Sequence, residues 1–345
     1  MKLKFLSTCG IALAAATFAA NTASAAGDLY LYTWGEYTPP DLVKKFESKY
    51  DVKVHVDTYD SNETMLAKIK SGATGYDVLV PSDYMVAILI KEDLLAKIEP
   101  NSMSNYANVD DKWKDVYWDA GRHYSVPWAW GTTSFVVDTD IVKTDPDTLA
   151  QIFDPADGVK GKINMLRDVN EVINASLRYL KLPRCNSNPQ DLKQVLDLLM
   201  TQKPWVKSYN SETKELLVSG EAKVSQSWNG YALRARLEKP SLKYAYPKEG
   251  FTGFMDNLVV PKSAPNLENA KLFLNFMMEP ENAALVSNYA KYSNAIKGSK
   301  KFMDPALAEA PELNLPAGTP DPEFVPPCDP TVVELYDKLW TKLLR

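Results

Sequence analysis

Histidine and cysteine are scarce in this 345-residue chain, which holds only His55 and His123, and Cys9, Cys185 and Cys328. No Cys or His cluster has the spacing of a transition-metal site, so neither a structural zinc nor any other cofactor is expected. After residue 25 no stretch approaches the ~20 consecutive apolar residues that a spanning helix needs. Positive charge is in deficit, with 39 Lys+Arg against 44 Asp+Glu and a formal net charge of −5, which argues against nucleic acid as a partner. Neither a G-x-S-x-G motif nor a paired His-Asp arrangement is present. Internal repeats and low-complexity tracts are also lacking, and 45% hydrophobic residues is the composition of an ordinary globular protein.

The N-terminus has the pattern of an export leader. Lys2 and Lys4 precede the apolar run Ile11 to Ala20, and Ala23-Ser24-Ala25 follows as an A-x-A cleavage site. Residues 1–25 are therefore expected to be a secretory signal peptide, giving a soluble exported product without a membrane anchor. Cys9 precedes the apolar run, whereas a lipid-attachment cysteine would follow it. Cleavage removes Lys2 and Lys4 and no acid, leaving 37 basic and 44 acidic residues, a net charge of −7. The mature chain of about 320 residues exceeds one typical hydrophobic core, so two lobes are expected. An exported chain permits disulfides, and Cys185 with Cys328 makes a candidate pair.

Short apolar strands alternate with helical patterns, which points to an α/β architecture. Leu29 to Tyr32 reads as a strand, followed by a helix over Asp41 to Lys49. A strand over Val52 to Val56, a helix capped by Asn62 and running through Lys70, and a strand over Tyr76 to Val80 complete a βαβαβ lobe. Phe135 to Val137 leads into a different region. There, helices are expected over 168–180, 189–200 and 211–219, and a strand over Val224 to Ser227. Asn257 to Pro261 then resembles the first lobe's strands again. The chain is thus expected to cross between lobes near 134–138 and near 247–256, forming a hinge. The boundaries drawn are 26–135 with 256–305 for lobe one, and 136–255 with 306–345 for lobe two.

Three separate places pair aromatic rings with carboxylates: Trp34, Glu36 and Tyr37 after the first strand; Phe254 and Asp256 at the second crossing; and Asp168 and Glu171 with Trp228. Rings and acids together suit an organic cation, since a π-face attracts an alkylammonium and a buried carboxylate supplies a directed charge-assisted bond. Asp168 and Glu171 are i and i+3 on one helix face. Acids in a first helical turn also complement the helix dipole, a purely structural explanation of that pair.

At Tyr32-Thr33-Trp34-Gly35-Glu36-Tyr37, Tyr59-Asp60-Ser61-Asn62-Glu63-Thr64-Met65, Val80-Pro81-Ser82-Asp83-Tyr84, Trp228-Asn229-Gly230 and Tyr246-Pro247-Lys248-Glu249-Gly250, the sequence resembles the periplasmic polyamine-binding proteins of spermidine/putrescine ABC transporters. The resemblance runs from Leu29 to Leu343. It implies a two-lobed periplasmic binding protein of the type II kind that closes on its ligand and delivers it to an inner-membrane ABC permease. A monomer is expected. In such proteins rings sandwich the methylene chain and acids bind the ammoniums. Carried over, Trp34, Tyr37 and Glu36 match the lobe-one aromatics and their neighbouring acid, and Ser82 and Tyr84 the next strand-end pair. Asp168 and Glu171 match the acids that take a terminal amine, Trp228 the stacking tryptophan, Asp256 the acid at the crossing and Tyr292 a late tyrosine.

Two departures bear on ligand length. Phe254 stands where spermidine-preferring members often carry tryptophan, and Pro326-Pro327-Cys328 stands roughly where they place a contacting glutamine. Against these, a slot running from Glu36 past Asp256 to Glu171 offers three anchors. On that basis putrescine and spermidine are both expected to bind, spermidine modestly more tightly. The competing readings are a receptor for another cationic amine such as agmatine, and a hydrolase using Asp168/Glu171 or Glu36/Asp256 as its acid pair.

Overall fold

The computed structural model describes residues 27–72 and 75–345; the leader, with Cys9, lies outside the described residues. Ten strands form one sheet: β1 (Gly27–Trp34), β2 (Val52–Tyr59), β3 (Val78–Leu79), β4 (Ser125–Asp138), β5 (Ile163–Met165), β6 (Val206–Tyr209), β7 (Val224–Trp228), β8 (Leu242–Tyr244), β9 (Thr252–Val259) and β10 (Glu323–Phe324). Their order is β2-β1-β3-β9-β4-β7-β5-β6, with β10 on β9 and β8 on β4. The pairs β1·β2, β1·β3, β5·β6 and β5·β7 are parallel, as helical crossovers require. The two central long strands, β4 and β9, run antiparallel to each other.

β4 makes the sheet continuous between two halves. From Ser125 to Thr133 it pairs with β9, and from Thr133 to Val137 with β7. Its length corrects the sequence reading, which placed a strand only over Phe135 to Val137. The missed half contains Pro127, Trp128, Trp130 and Gly131, residues that hide the alternation; a register shift between Pro127 and Ala129 accommodates the proline, which has no N–H to give the ladder. β9 likewise starts at Thr252, five residues earlier than the apolar run suggests.

Two large apolar clusters flank this junction. One gathers Leu29, Leu31, Phe46, Met65, Trp128, Leu258 and Phe273; the other gathers Phe135, Ile163, Val172, Leu199, Tyr336 and Leu339. The helix Pro40–Tyr50 shows how such packing follows from sequence. Proline opens it, Leu42 and Phe46 lie i, i+4 on its buried face, and Asp51 ends it in left-handed backbone.

The C-terminal segment passes the hinge a third time. β10 pairs with Thr252 and Gly253 of β9, where a Cβ on Gly253 would come within 2.8 Å of the Phe324 ring. Arg178 Nη2 donates to Glu323 at 2.8 Å and Arg184 Nη1 to the Pro326 carbonyl at 2.6 Å. The helix Pro330–Leu344 then packs on the second cluster. Cys185 and Cys328 are joined by a disulfide whose Cα atoms are 5.3 Å apart, closing a loop with a sequence separation of 143. On chain-entropy grounds a loop of that length contributes up to about 5 kcal/mol. The double variant Cys185→Ser/Cys328→Ser is therefore expected to melt at a clearly lower temperature in scanning calorimetry, and an unchanged melting temperature would contradict that contribution.

Candidate functional site

Asp256 occupies the point where the sheet changes lobes, paired with Ala129 of β4 and bridged to Ser82. Its carboxylate accepts from the Tyr37 hydroxyl at 2.6 Å and from Ser82 Oγ at 2.7 Å. Burial pushes its pKa up to about 6, and these two donors offset only part of that penalty. A buried carboxylate with oxygens oriented by two hydroxyls is a preformed acceptor for a cation.

Alternation along β9 and β4 sets what surrounds it. Phe254 lies two residues from Asp256 and opposite Gly131, so both share the face of Asp256. Tyr292 stands edge-on to Phe254 at 5.8 Å and to Tyr37 at 5.9 Å between ring centroids. Glycine is required opposite these rings. A Cβ on Gly131 would meet Phe254 at 2.7 Å, and one on Gly230 would meet the Tyr292 ring at 2.4 Å.

The rest of the lobe-one wall comes from strand and helix ends. Trp34 closes β1, its indole Nε1 donating to the Val80 carbonyl at 2.9 Å with its rings 4.6 Å from Tyr59. Asn62 Nδ2 lies 3.1 Å from both Ser82 Oγ and the Tyr84 hydroxyl, and Tyr84 donates to Glu63 at 2.9 Å. Sequence reading took Asn62 as a helix cap. In fact Ser61 caps the helix Asn62–Lys70, accepting from Thr64 N at 3.1 Å, which frees the Asn62 amide to position the slot. Asp83, next to Ser82, is a further buried acid that sequence reading passed over. Burial and the nearby charge of Asp256 hold it at about 7, despite a 2.9 Å hydrogen bond from Tyr117.

Lobe two presents a second acidic cluster. Asp168 caps the helix Val169–Tyr179, accepting from Glu171 N at 3.0 Å. Glu171 accepts from Thr133 Oγ1 at 2.9 Å, and Thr133 is also the residue of β4 that faces Trp228. Both acids keep part of their surface open, but their carboxyls lie deep. Burial, then the charge of Asp168, raises Glu171 to about 7; Asp168 is raised by burial and by the like charge of Glu63 across the cleft. Behind Glu171 a void of about 10 Å³ beside Gln226 and Thr252 has room for a single water. Trp228, half-buried at the end of β7, stands 5.7 Å from Tyr231.

Ten of the eleven sequence-named residues thus line or support one region where the lobes meet. Glu36 does not. It sits in left-handed backbone (φ 51°) with 80% of its side chain exposed, 3.4 Å from Arg234 Nη1. The guanidinium that faces this carboxylate belongs to the helix Asn229–Glu238. Trp118, by contrast with Trp228, is a core residue, 4% exposed, with Nε1 3.3 Å from Asn257 Oδ1.

A family profile for bacterial extracellular solute-binding proteins matches residues 41–315, most of the chain. The chain belongs to this family. Among relatives of this solute-binding protein, the spermidine/putrescine-binding periplasmic protein of Salmonella typhimurium is 34% identical over 290 residues, 83% of this chain and 82% of that one. A putrescine-binding periplasmic protein of Pseudomonas aeruginosa is 31% identical over 327 residues, 88% of each chain. The crystal structure of a spermidine/putrescine ABC transporter substrate-binding protein from Streptococcus pneumoniae superposes with a TM-score of 0.81 at 27% identity, covering 92% of this chain and 99% of that one. The α/β, two-lobed architecture with a hinge is therefore the family's. No helix among the described residues is long and apolar enough to cross a membrane.

Proposed function

We propose that this solute-binding protein is a periplasmic receptor that captures polyamines between its lobes and delivers them to an ABC permease. The observation that carries the reading is Asp256, a buried carboxylate oriented by Tyr37 and Ser82 at the floor of an aromatic slot, with Asp168 and Glu171 on the other lobe. A linear polyamine is a methylene chain with separated charges. Rings alone would leave its ammoniums unpaired at several kcal/mol each. Acids alone would hold inorganic cations as well. Acids at the two ends of an aromatic slot measure the distance between charges, and that distance is the specificity.

In this reading Phe254, Tyr292, Trp34 and Trp228 stack on the methylenes, Asp256 takes one ammonium, and Glu171 with Asp168 takes another. Ser82 and Tyr84 orient the acids and polar groups around them. Groups from both lobes are satisfied together only when the lobes approach, so binding closes the hinge formed by β4, β9 and the β10 passage. The lobes are residues 26–135 with 256–305, and 136–255 with 306–345. Catalysis does not suit the acid pair: a glycosidase needs carboxyls flanking the scissile bond, whereas Asp168 and Glu171 come from one helical turn.

Differential scanning of the purified protein against linear amines, amino acids and sugars tests the reading. At a hundredfold excess over Kd a specific ligand stabilises by about 2.7 kcal/mol, so putrescine or spermidine is expected to raise the melting temperature by several degrees. A shift with amino acids or sugars and none with any amine would refute it.

A further inference from the structure

Arg234 is a cation placed among Tyr231, Tyr292 and Glu36, whereas Arg178, the cation nearest Glu171, is bonded to Thr252 and Glu323. The Arg234 side chain is 17% exposed. Three neighbours fix it. Nη2 donates to the Ala290 carbonyl at 2.9 Å, the guanidinium carbon lies 4.8 Å from the Tyr231 ring centroid, and Nη1 faces Glu36 at 3.4 Å. The Nε proton is buried and has no protein acceptor. Ala290 and Glu36 belong to lobe one and Arg234 to lobe two, so the guanidinium spans the cleft. It stands one helical turn after Gly230, the residue packed on the Tyr292 ring, and beside Tyr231, which neighbours Trp228. Its charge reaches the Tyr292 hydroxyl, where it opposes the upward push of burial.

We infer that Arg234 is a specificity-determining residue: it withdraws the Glu36 carboxylate from the slot and leaves a fixed positive charge at that end, so that the slot selects a linear diamine over a triamine. The inference rests on the amine-receptor reading and narrows it. A diamine needs two anchors, and Asp256 and the Asp168/Glu171 pair are two. A triamine extended toward Glu36 brings its third ammonium to a guanidinium whose ion-pair partner, Glu36, is already engaged and mostly in water. Like charge at short range in a partly desolvated site disfavours that pose, and the exposed Glu36 pair is too screened to reverse it. The planar guanidinium suits this place because it can bond a carbonyl, stack on a tyrosine and face a carboxylate at once.

The test is a set of isothermal titrations of full-length exported protein with putrescine and with spermidine at one ionic strength, using the unmodified chain, Arg234→Gln, Arg234→Lys and Arg234→Gln/Glu36→Gln. The unmodified protein is expected to bind putrescine more tightly. Arg234→Gln should move the putrescine-to-spermidine affinity ratio at least fivefold toward spermidine, and Arg234→Lys, which keeps the charge, should leave it within about threefold. Adding Glu36→Gln should remove the part of the gain that the freed carboxylate produces and leave the part that comes from relief of like-charge repulsion. Equal weakening of both amines by Arg234→Gln, or equal ratios for Arg234→Gln and Arg234→Lys, would reduce Arg234 to a lobe-closing contact and overturn the inference while leaving the receptor reading intact. Absence of amine binding by the unmodified protein would overturn both.

Discussion

Replacing Asp256 by asparagine is expected to weaken polyamine binding at least tenfold. The substitution keeps shape and removes charge. In the free protein the carboxylate is held by hydrogen bonds from Tyr37 at 2.6 Å and Ser82 at 2.7 Å, yet burial still dominates and lifts its pKa to about 6. An ammonium that settles against it replaces the lost water, in a charge-assisted bond worth roughly 1.5–3 kcal/mol. Tenfold corresponds to about 1.4 kcal/mol, the lower end of that range. The fold should tolerate the change, because at neutral pH the buried charge opposes folding. Calorimetric titration checks the affinity and thermal melting checks the fold. An intact variant with unchanged affinity would remove Asp256 from the site.

Acidification should weaken binding by at least tenfold between pH 7.5 and pH 5.5. Glu171 sits at about 7 and Asp256 at about 6, both raised chiefly by burial. Each must be ionised to pair with an ammonium, so lowering the pH through these values makes the ligand compete with protons. Binding near pH 6.5 should release protons, visible as a buffer-dependent enthalpy. Stability without ligand moves the other way. A carboxyl whose folded pKa lies above its unfolded value takes up protons on folding, so its contribution is present at low pH and lost as the pH rises through the folded value. Asp256, Glu171 and Asp83 all have this sign. Asp111, held down to about 2 by hydrogen bonds from Lys114 and Lys297, titrates below this window. The ligand-free protein should therefore melt higher at pH 5.5 than at pH 7.5 while its ligand-induced shift shrinks. A pH-independent Kd would contradict the assignment of these acids to the cleft.

Much of this arrangement could be read from local sequence, because strand ends carry their own signals. Trp34 ends a strand and Tyr37 follows it, Ser82 follows one and opens a helix, and Trp228 ends another; in each case a helix or turn signal comes next. Phe254 and Asp256 lie at a crossing that the pattern placed within a few residues. The long strands were harder to see. Half of β4 carries proline, glycine and tryptophans, and its pairing with β9 is a contact between distant segments that no local period encodes. The pairing of Glu36 is hidden for a related reason: its partner Arg234 is 198 residues away, and nothing beside either residue announces the other. The site roles of Asn62 and Thr133 are not legible locally because each bonds to site residues on separate elements, Asn62 to Ser82 and Tyr84 and Thr133 to Glu171. Asp83 carries the same local signal as the others, an acid beside a strand-end serine.

A crystal structure of the protein grown with putrescine tests capture between the lobes most directly. One terminal nitrogen is expected within about 3 Å of the Asp256 carboxylate, the usual reach of a charge-assisted hydrogen bond. The other should lie at Glu171 or Asp168, with the methylenes between the rings of Phe254, Tyr292 and Trp228. Amine bound outside the cleft, or a cleft that stays empty at saturating putrescine while the protein is folded, would contradict it.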